Sequence, residues 1–180
     1  MFISFFVAHM IVAATPALPS YVALFPIDLV RPWNWYRFLT YGLVQTSLLN
    51  LLLVGGIVLL SGWIAERWLD RRAMCVVAAI AALSSGVIYG VLAPAKGPLI
   101  GGGFIAAGFA GAAVVSYARR RAFASRGTQL LALALLVMYG FTPLRPDPTS
   151  LAMFGAFIMA GGYTAFRLRP PLHGVASQAT

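Results

Sequence analysis

Long apolar runs alternate along this chain with short stretches rich in arginine, proline and glycine. The hydrocarbon core of a bilayer is about 30 Å thick, so a crossing helix needs about 20 apolar residues. Six runs approach that length: 2–25, 40–64, 73–92, 99–117, 130–141 and 150–166. Pro16 and Pro19 interrupt the first, which reads as a kinked or short helix followed by an irregular stretch. The second is the most continuous, and its hydropathy predicts a single helix from Thr40 to Ile64. Pro94 and Gly97-Pro98 close the third, and the fifth is expected to begin near Thr128. The pattern predicts an all-α membrane protein with one six-helix domain over residues 1–169 and a short disordered tail over 170–180.

Composition narrows the class. Hydrophobic residues make up 61% of the 180 and charged residues only 9%. A soluble domain carries about 25% charged residues, so a water-facing globular enzyme is excluded, and disorder is excluded by the same apolar content. The single cysteine, Cys75, excludes an internal disulfide framework and a multi-cysteine metal site. No metal or other cofactor is expected, and no nucleic-acid partner, because the net charge of +9 forms no basic stripe on a polar face. The arginines lie instead in short connections, where they orient the chain and meet anionic headgroups.

Nine of the 13 positive residues follow the second, fourth and sixth runs: Arg67, Arg71, Arg72, Arg119, Arg120, Arg121, Arg126, Arg167 and Arg169. The other four, Arg31, Arg37, Lys96 and Arg145, fall on the opposite side. The positive-inside rule then places both termini in the cytoplasm. The first run lacks the basic start of a signal peptide and is expected to be retained. The tryptophans bracket the second run; Trp35 and Trp63 are 28 residues apart, roughly 42 Å if the helix is continuous. That suits an aromatic belt at each interface.

Small residues recur every fourth position in three runs: Ala78, Ala82, Gly86 and Gly90; Gly103, Ala107 and Gly111; and Ala152, Ala156 and Ala160. Helices in lipid associate through such stripes. The third, fourth and sixth helices are therefore expected to pack together with the fourth at the centre, and the leucine-rich second helix to face lipid. Asn50, about ten residues into the second run, is expected near the midplane as interhelical glue or as a functional group. Gln45, Thr46 and Ser47 are expected near the outer surface. His9 reads as a packing residue.

The stretch Tyr36-Arg37-Phe38-Leu39-Thr40-Tyr41-Gly42-Leu43-Val44-Gln45 resembles the start of the second helix of the rhomboid family of intramembrane serine proteases, which reads Trp-Arg, two apolar residues, Thr-Tyr, three small or apolar residues, then His. The likeness continues through Asn50 and closes with Gly62 and Glu66-Arg67. Gly97-Pro98-Leu99-Ile100-Gly101-Gly102 resembles the approach to that family's nucleophile, and Gly108 and Gly111 suit its tightly packed fourth helix. The resemblance spans about residues 30–165. It implies a six-transmembrane-helix rhomboid-like bundle with cytoplasmic termini, in a bacterial inner membrane.

The positions that would carry the family's chemistry differ. Its serine falls on Gly103 or Phe104, depending on a one-residue gap, and its helix-six histidine on Ala152. No histidine occurs between His9 and His173. The oxyanion-holding positions fall on Gln45, Asn50 and Val54. Ser84, Ser85 and Ser116 have no base at membrane depth, since Asp28, Glu66, Asp70 and Asp147 all lie in connections or at helix ends. The resemblance therefore implies a pseudoprotease rather than an enzyme, one that binds transmembrane segments of client proteins in a groove around Gly101, Gly102, Gly103 and Asn50. A protease with an unorthodox nucleophile and a small transporter are the alternatives.

Overall fold

The computed structural model describes residues 7, 11, 21–43, 45, 47–93, 97–120, 125–144 and 147–168. Six α-helices occur among them: α1 Arg37–Thr40, α2 Leu48–Ala65, α3 Arg71–Leu92, α4 Gly103–Arg120, α5 Arg126–Gly140 and α6 Pro148–Arg167. Four stretches are long and apolar enough to cross a membrane, Leu48–Ala65, Arg71–Leu92, Arg126–Leu144 and Pro148–Arg167; α4 is a shorter apolar helix. The first apolar run, with Pro16, Pro19 and His9, lies almost wholly outside the described residues, as do Thr46, Lys96, Arg121, Arg145 and the tail.

Most helix starts are set by a polar residue just ahead of an apolar run. Ser47, Asp70, Ser125 and Asp147 each accept a hydrogen bond from a first-turn backbone N–H. Such caps satisfy donors that have no partner within the helix.

The second run is not one helix. It breaks into α1, a 3₁₀ turn at Tyr41–Leu43, and α2 beginning at Leu48. The break is held by tertiary bonds: the Tyr41 carbonyl accepts from Gly101 N at 3.1 Å, and the buried Tyr41 hydroxyl donates to the Ala82 carbonyl at 2.9 Å. Asn50 is consequently the third residue of α2, near one end of the bundle and not at mid-depth. The spacing of Trp35 from Trp63 is likewise no measure of a single helix.

Helix α4 sits at the centre, against α2, α3, α5 and α6, and packs most extensively on α6. Glycine permits this. A Cβ on Gly111 would strike the backbone of Phe157, and one on Gly108 would strike Ala81 of α3 and approach Ala160 of α6. Ala156 and Ala160 are fully buried at the same seam. Close backbone approach through small residues is the expected glue in lipid.

The α3 stripe has a different partner from the one its spacing suggests. Gly86 faces Phe38 and Leu24, and Gly90 faces Leu29. Thus the Gly86 and Gly90 end of the stripe receives the 21–43 segment. Helix α3 meets α4 through Ala81 and packs on α6 with Ile88 against Gly155, so the third, fourth and sixth helices do pack together. Helix α2 is also not the most lipid-facing: 44% of its span is buried against 22% for the Arg126–Leu144 span. The reason is that Val54, Val58, Ile64 and Ala65 of α2 join the core, whereas α5 buries few side chains.

The 21–43 segment closes one end of the bundle. Leu24 and Leu99 exchange two backbone hydrogen bonds, at 3.1 and 2.7 Å. Asp28, 1% exposed, accepts from Arg37 Nη1 at 3.2 Å, Asn34 Nδ2 at 2.6 Å and Phe25 N at 2.9 Å. A buried carboxylate requires this degree of pairing. At the other end, Arg167 of α6 meets Asp70 at the start of α3 across 3.4 Å, and Arg67 lies over the Trp63 ring at 3.9 Å.

Candidate functional site

At the end closed by the 21–43 segment, a cavity of about 220 Å³ opens between α2, α3, α4 and α6. Asn50, Tyr89, Gly101, Gly103, Phe104, Thr149 and Met153 line it, with Pro98, Leu99 and Ile100 from the loop ahead of α4. Residues far apart in sequence meet here because that loop is tied down on both sides. Its Leu99 pairs with Leu24, and the Tyr89 hydroxyl donates to the Gly97 carbonyl at 2.9 Å.

Two glycines in the loop are required by geometry. Gly101 has φ of +125°, a conformation that side chains strongly disfavour. Gly102 is clasped between the turn and α2, where an added Cβ would meet Gln45 Nε2, the Gly42 carbonyl oxygen at 2.8 Å and Val54 Cγ1 at 3.0 Å. The residues matched to oxyanion positions therefore do converge. Asn50 Nδ2 donates to Gln45 Oε1 at 2.9 Å, and Gln45 Nε2 donates to the Gly42 carbonyl at 3.4 Å. Gln45 is buried rather than displayed at the surface, and Val54 presents only methyl groups. Asn50 lines the cavity; Gln45 and Val54 support it from behind.

Gly103 opens α4 at the cavity wall, and an added Cβ there would come 3.0 Å from Met153 Cε. Phe104 also borders the cavity, but its ring packs on Tyr41 with centroids 5.8 Å apart. Ala152 is fully buried in the same cluster as Phe104. The side chain of α6 that reaches Gly103 is thus Met153, one residue beyond the position matched by sequence.

The hydroxyls on the cavity are those of Tyr89 and Thr149, and its lining holds no His, Lys, Asp or Glu. Nearby, Ser150 Oγ donates to Asp147 Oδ2 at 2.6 Å, but Asp147 Oδ1 also accepts from Thr149 N and Ser150 N. That is a helix cap, and a carboxylate is a far weaker base than the imidazole a serine nucleophile requires. Among the described residues no group of three or more His, Cys, Asp or Glu side chains comes together to hold a metal.

Tyr89, Thr149 and Met153 are the lining residues that sequence reasoning missed. Tyr89 was marked only by being a phenol inside an apolar helix. Thr149 follows an Asp147-Pro148 helix start, a recognisable cap. Nothing in the sequence singles out Met153.

A bundle of apolar helices, with a small half-polar cleft opening at one end beside a glycine-started central helix, defines a multi-pass integral membrane protein in contact with the bilayer. Residues 32–169 match the Rhomboid domain. The chain belongs to the rhomboid family, within the intramembrane protease superfamily. No curated protein matches it.

Proposed function

We propose that this rhomboid-family protein is catalytically inactive and binds transmembrane segments of client proteins at the α2–α3–α4–α6 cleft. The observation that carries the reading is the chemistry of the cleft. Gly103 opens α4 at the cleft with no nucleophile, and the α6 side chain opposite it is the thioether of Met153, with no basic group. Without either group the acyl-transfer route loses its first step, and only weak residual stabilisation is left. What the cleft does offer is a half-polar surface, with Asn50, Tyr89 and Thr149 at its wall beside Phe104 and Met153. Such a surface suits a client helix that brings a polar or locally unwound segment into the bilayer, where unpaired backbone groups are costly. The arginine-rich end is cytoplasmic by the positive-inside rule, in a plasma membrane of bacterial type.

Reconstituting the full chain with single-pass substrates tests the inactivity. The expected result is no cleavage above protein-free vesicles. Cleavage abolished by Ser150→Ala or Thr149→Val would overturn it and favour the unorthodox-protease reading.

A further inference from the structure

We infer that the groove between α4 and α5 is a binding site for one anionic phospholipid. The groove holds about 550 Å³, within the range of small-molecule sites. Val114 and Tyr117 of α4 and Leu130, Leu133 and Leu136 of α5 form its apolar walls, and Arg126 stands at its end. From Arg126 to Leu136 is ten residues of helix, about 15 Å, which is half of a hydrocarbon core of about 30 Å. A chain held by the arginine at its head therefore runs the depth of a single leaflet.

Charge selects the head. The connection from Arg119 to Arg126 carries four arginines, and residues 103–146 contain no Asp or Glu. Two arginines elsewhere meet a carboxylate, Arg37 with Asp28 and Arg167 with Asp70. The comparable groove at the α2–α3 end, about 520 Å³, is lined by Glu66 as well as Arg71, so the formal charges of its lining cancel. An uncompensated arginine over an apolar groove is complementary to a phosphodiester joined to acyl chains, and basic pockets between transmembrane helices take such headgroups. Arg126 also opens α5, where the helix dipole favours a negative group. The sparse burial of α5 leaves this face open to the bilayer.

Native mass spectrometry of the full chain, with phosphatidylglycerol and phosphatidylcholine of equal chain length, tests the site. The expected result is one retained phosphatidylglycerol, bound about tenfold more tightly than phosphatidylcholine, a difference of about 1.4 kcal/mol. Arg126→Gln removes the preference, Arg126→Lys restores much of it, and Arg71→Gln leaves it intact. Equal retention of the two lipids overturns the inference, as does equal loss in Arg71→Gln, which indicates diffuse surface charge. Should Arg126→Gln fail to fold, phosphatidylglycerol with a photoreactive acyl chain decides on the wild-type protein. Labelling concentrated in residues 114–136 supports the site, and labelling spread evenly over α2 and α3 overturns it.

Discussion

Gly111 and Gly56 show what a single hydrogen in place of a methyl group does in this bundle. The Cβ of an alanine at 111 would press on the Phe157 carbonyl, and backbone cannot rotate away. Overpacking of this kind costs about 1–3 kcal/mol. At Gly56 no atom lies within 4 Å of the added Cβ, and alanine should gain up to about 1 kcal/mol of helix propensity. Gly111→Ala is therefore expected to destabilise and Gly56→Ala to stabilise, as read by reversible unfolding in mixed micelles. Equal effects would mean that α4 and α6 are not in backbone contact. At the cleft the same logic explains two glycines by different means, Gly101 by its positive φ and Gly102 by the space left between Gln45 and Val54. Gly103 differs again, because its neighbour is the flexible end of Met153. A side chain there is tolerable, so its lack of a nucleophile is not forced by packing.

Among the elements, the 21–43 segment is held by polar contacts as well as by packing. Its anchor is Asp28, with side-chain exposure of 1% beside 14% for Arg37. Removing one partner of a buried pair costs about 3–5 kcal/mol because the other charge is left uncompensated. Asp28→Ala is expected to lose about 3 kcal/mol and to raise hydrogen exchange first in residues 24–41. Arg167→Gln, from a pair more than half exposed, should change stability by less than about 1 kcal/mol. Similar losses in both variants would contradict the account of the segment as a clamp. The helices α2 to α6 were legible because an apolar run near bilayer length, bounded by arginines or proline, has few other interpretations in water. The break at residues 41–47 was not legible. Gln45, Thr46 and Ser47 interrupt the apolar run there but read equally as polar residues near a membrane surface, and the turn is held by Gly101 and Ala82, which lie 60 and 41 positions from Tyr41. That hidden break is why Asn50 was expected at mid-depth and why Gln45 was expected at the surface. The α3 stripe was visible as a stripe, but a four-residue period names a helix face and not its partner.

For the whole molecule, the charge pattern and the cleft define two ends. Arg67, Arg71, Arg119, Arg126 and Arg167 belong to one, and the cavity with Asp28 and Arg37 to the other. With Cys75 replaced by alanine, a cysteine at Gly127 should react with a membrane-impermeant maleimide only after the cytoplasmic face is opened. Labelling of intact cells would reverse the orientation. The cleft was half legible: of the residues the resemblance pointed to, Asn50, Gly101 and Gly103 line it, while Gly102 lies behind the wall against Gln45 and Val54. Tyr89, Thr149 and Met153 come from other helices and meet those residues only in three dimensions. The most direct test of the central claim is photo-crosslinking in native membranes from a photoreactive residue at Met153, with Leu53 on the exposed face of α2 as control. The account predicts that single-pass proteins are captured at Met153 through their transmembrane segments and not at Leu53. Capture at both positions alike, or only lipid and the protein's own helices at Met153, would contradict it.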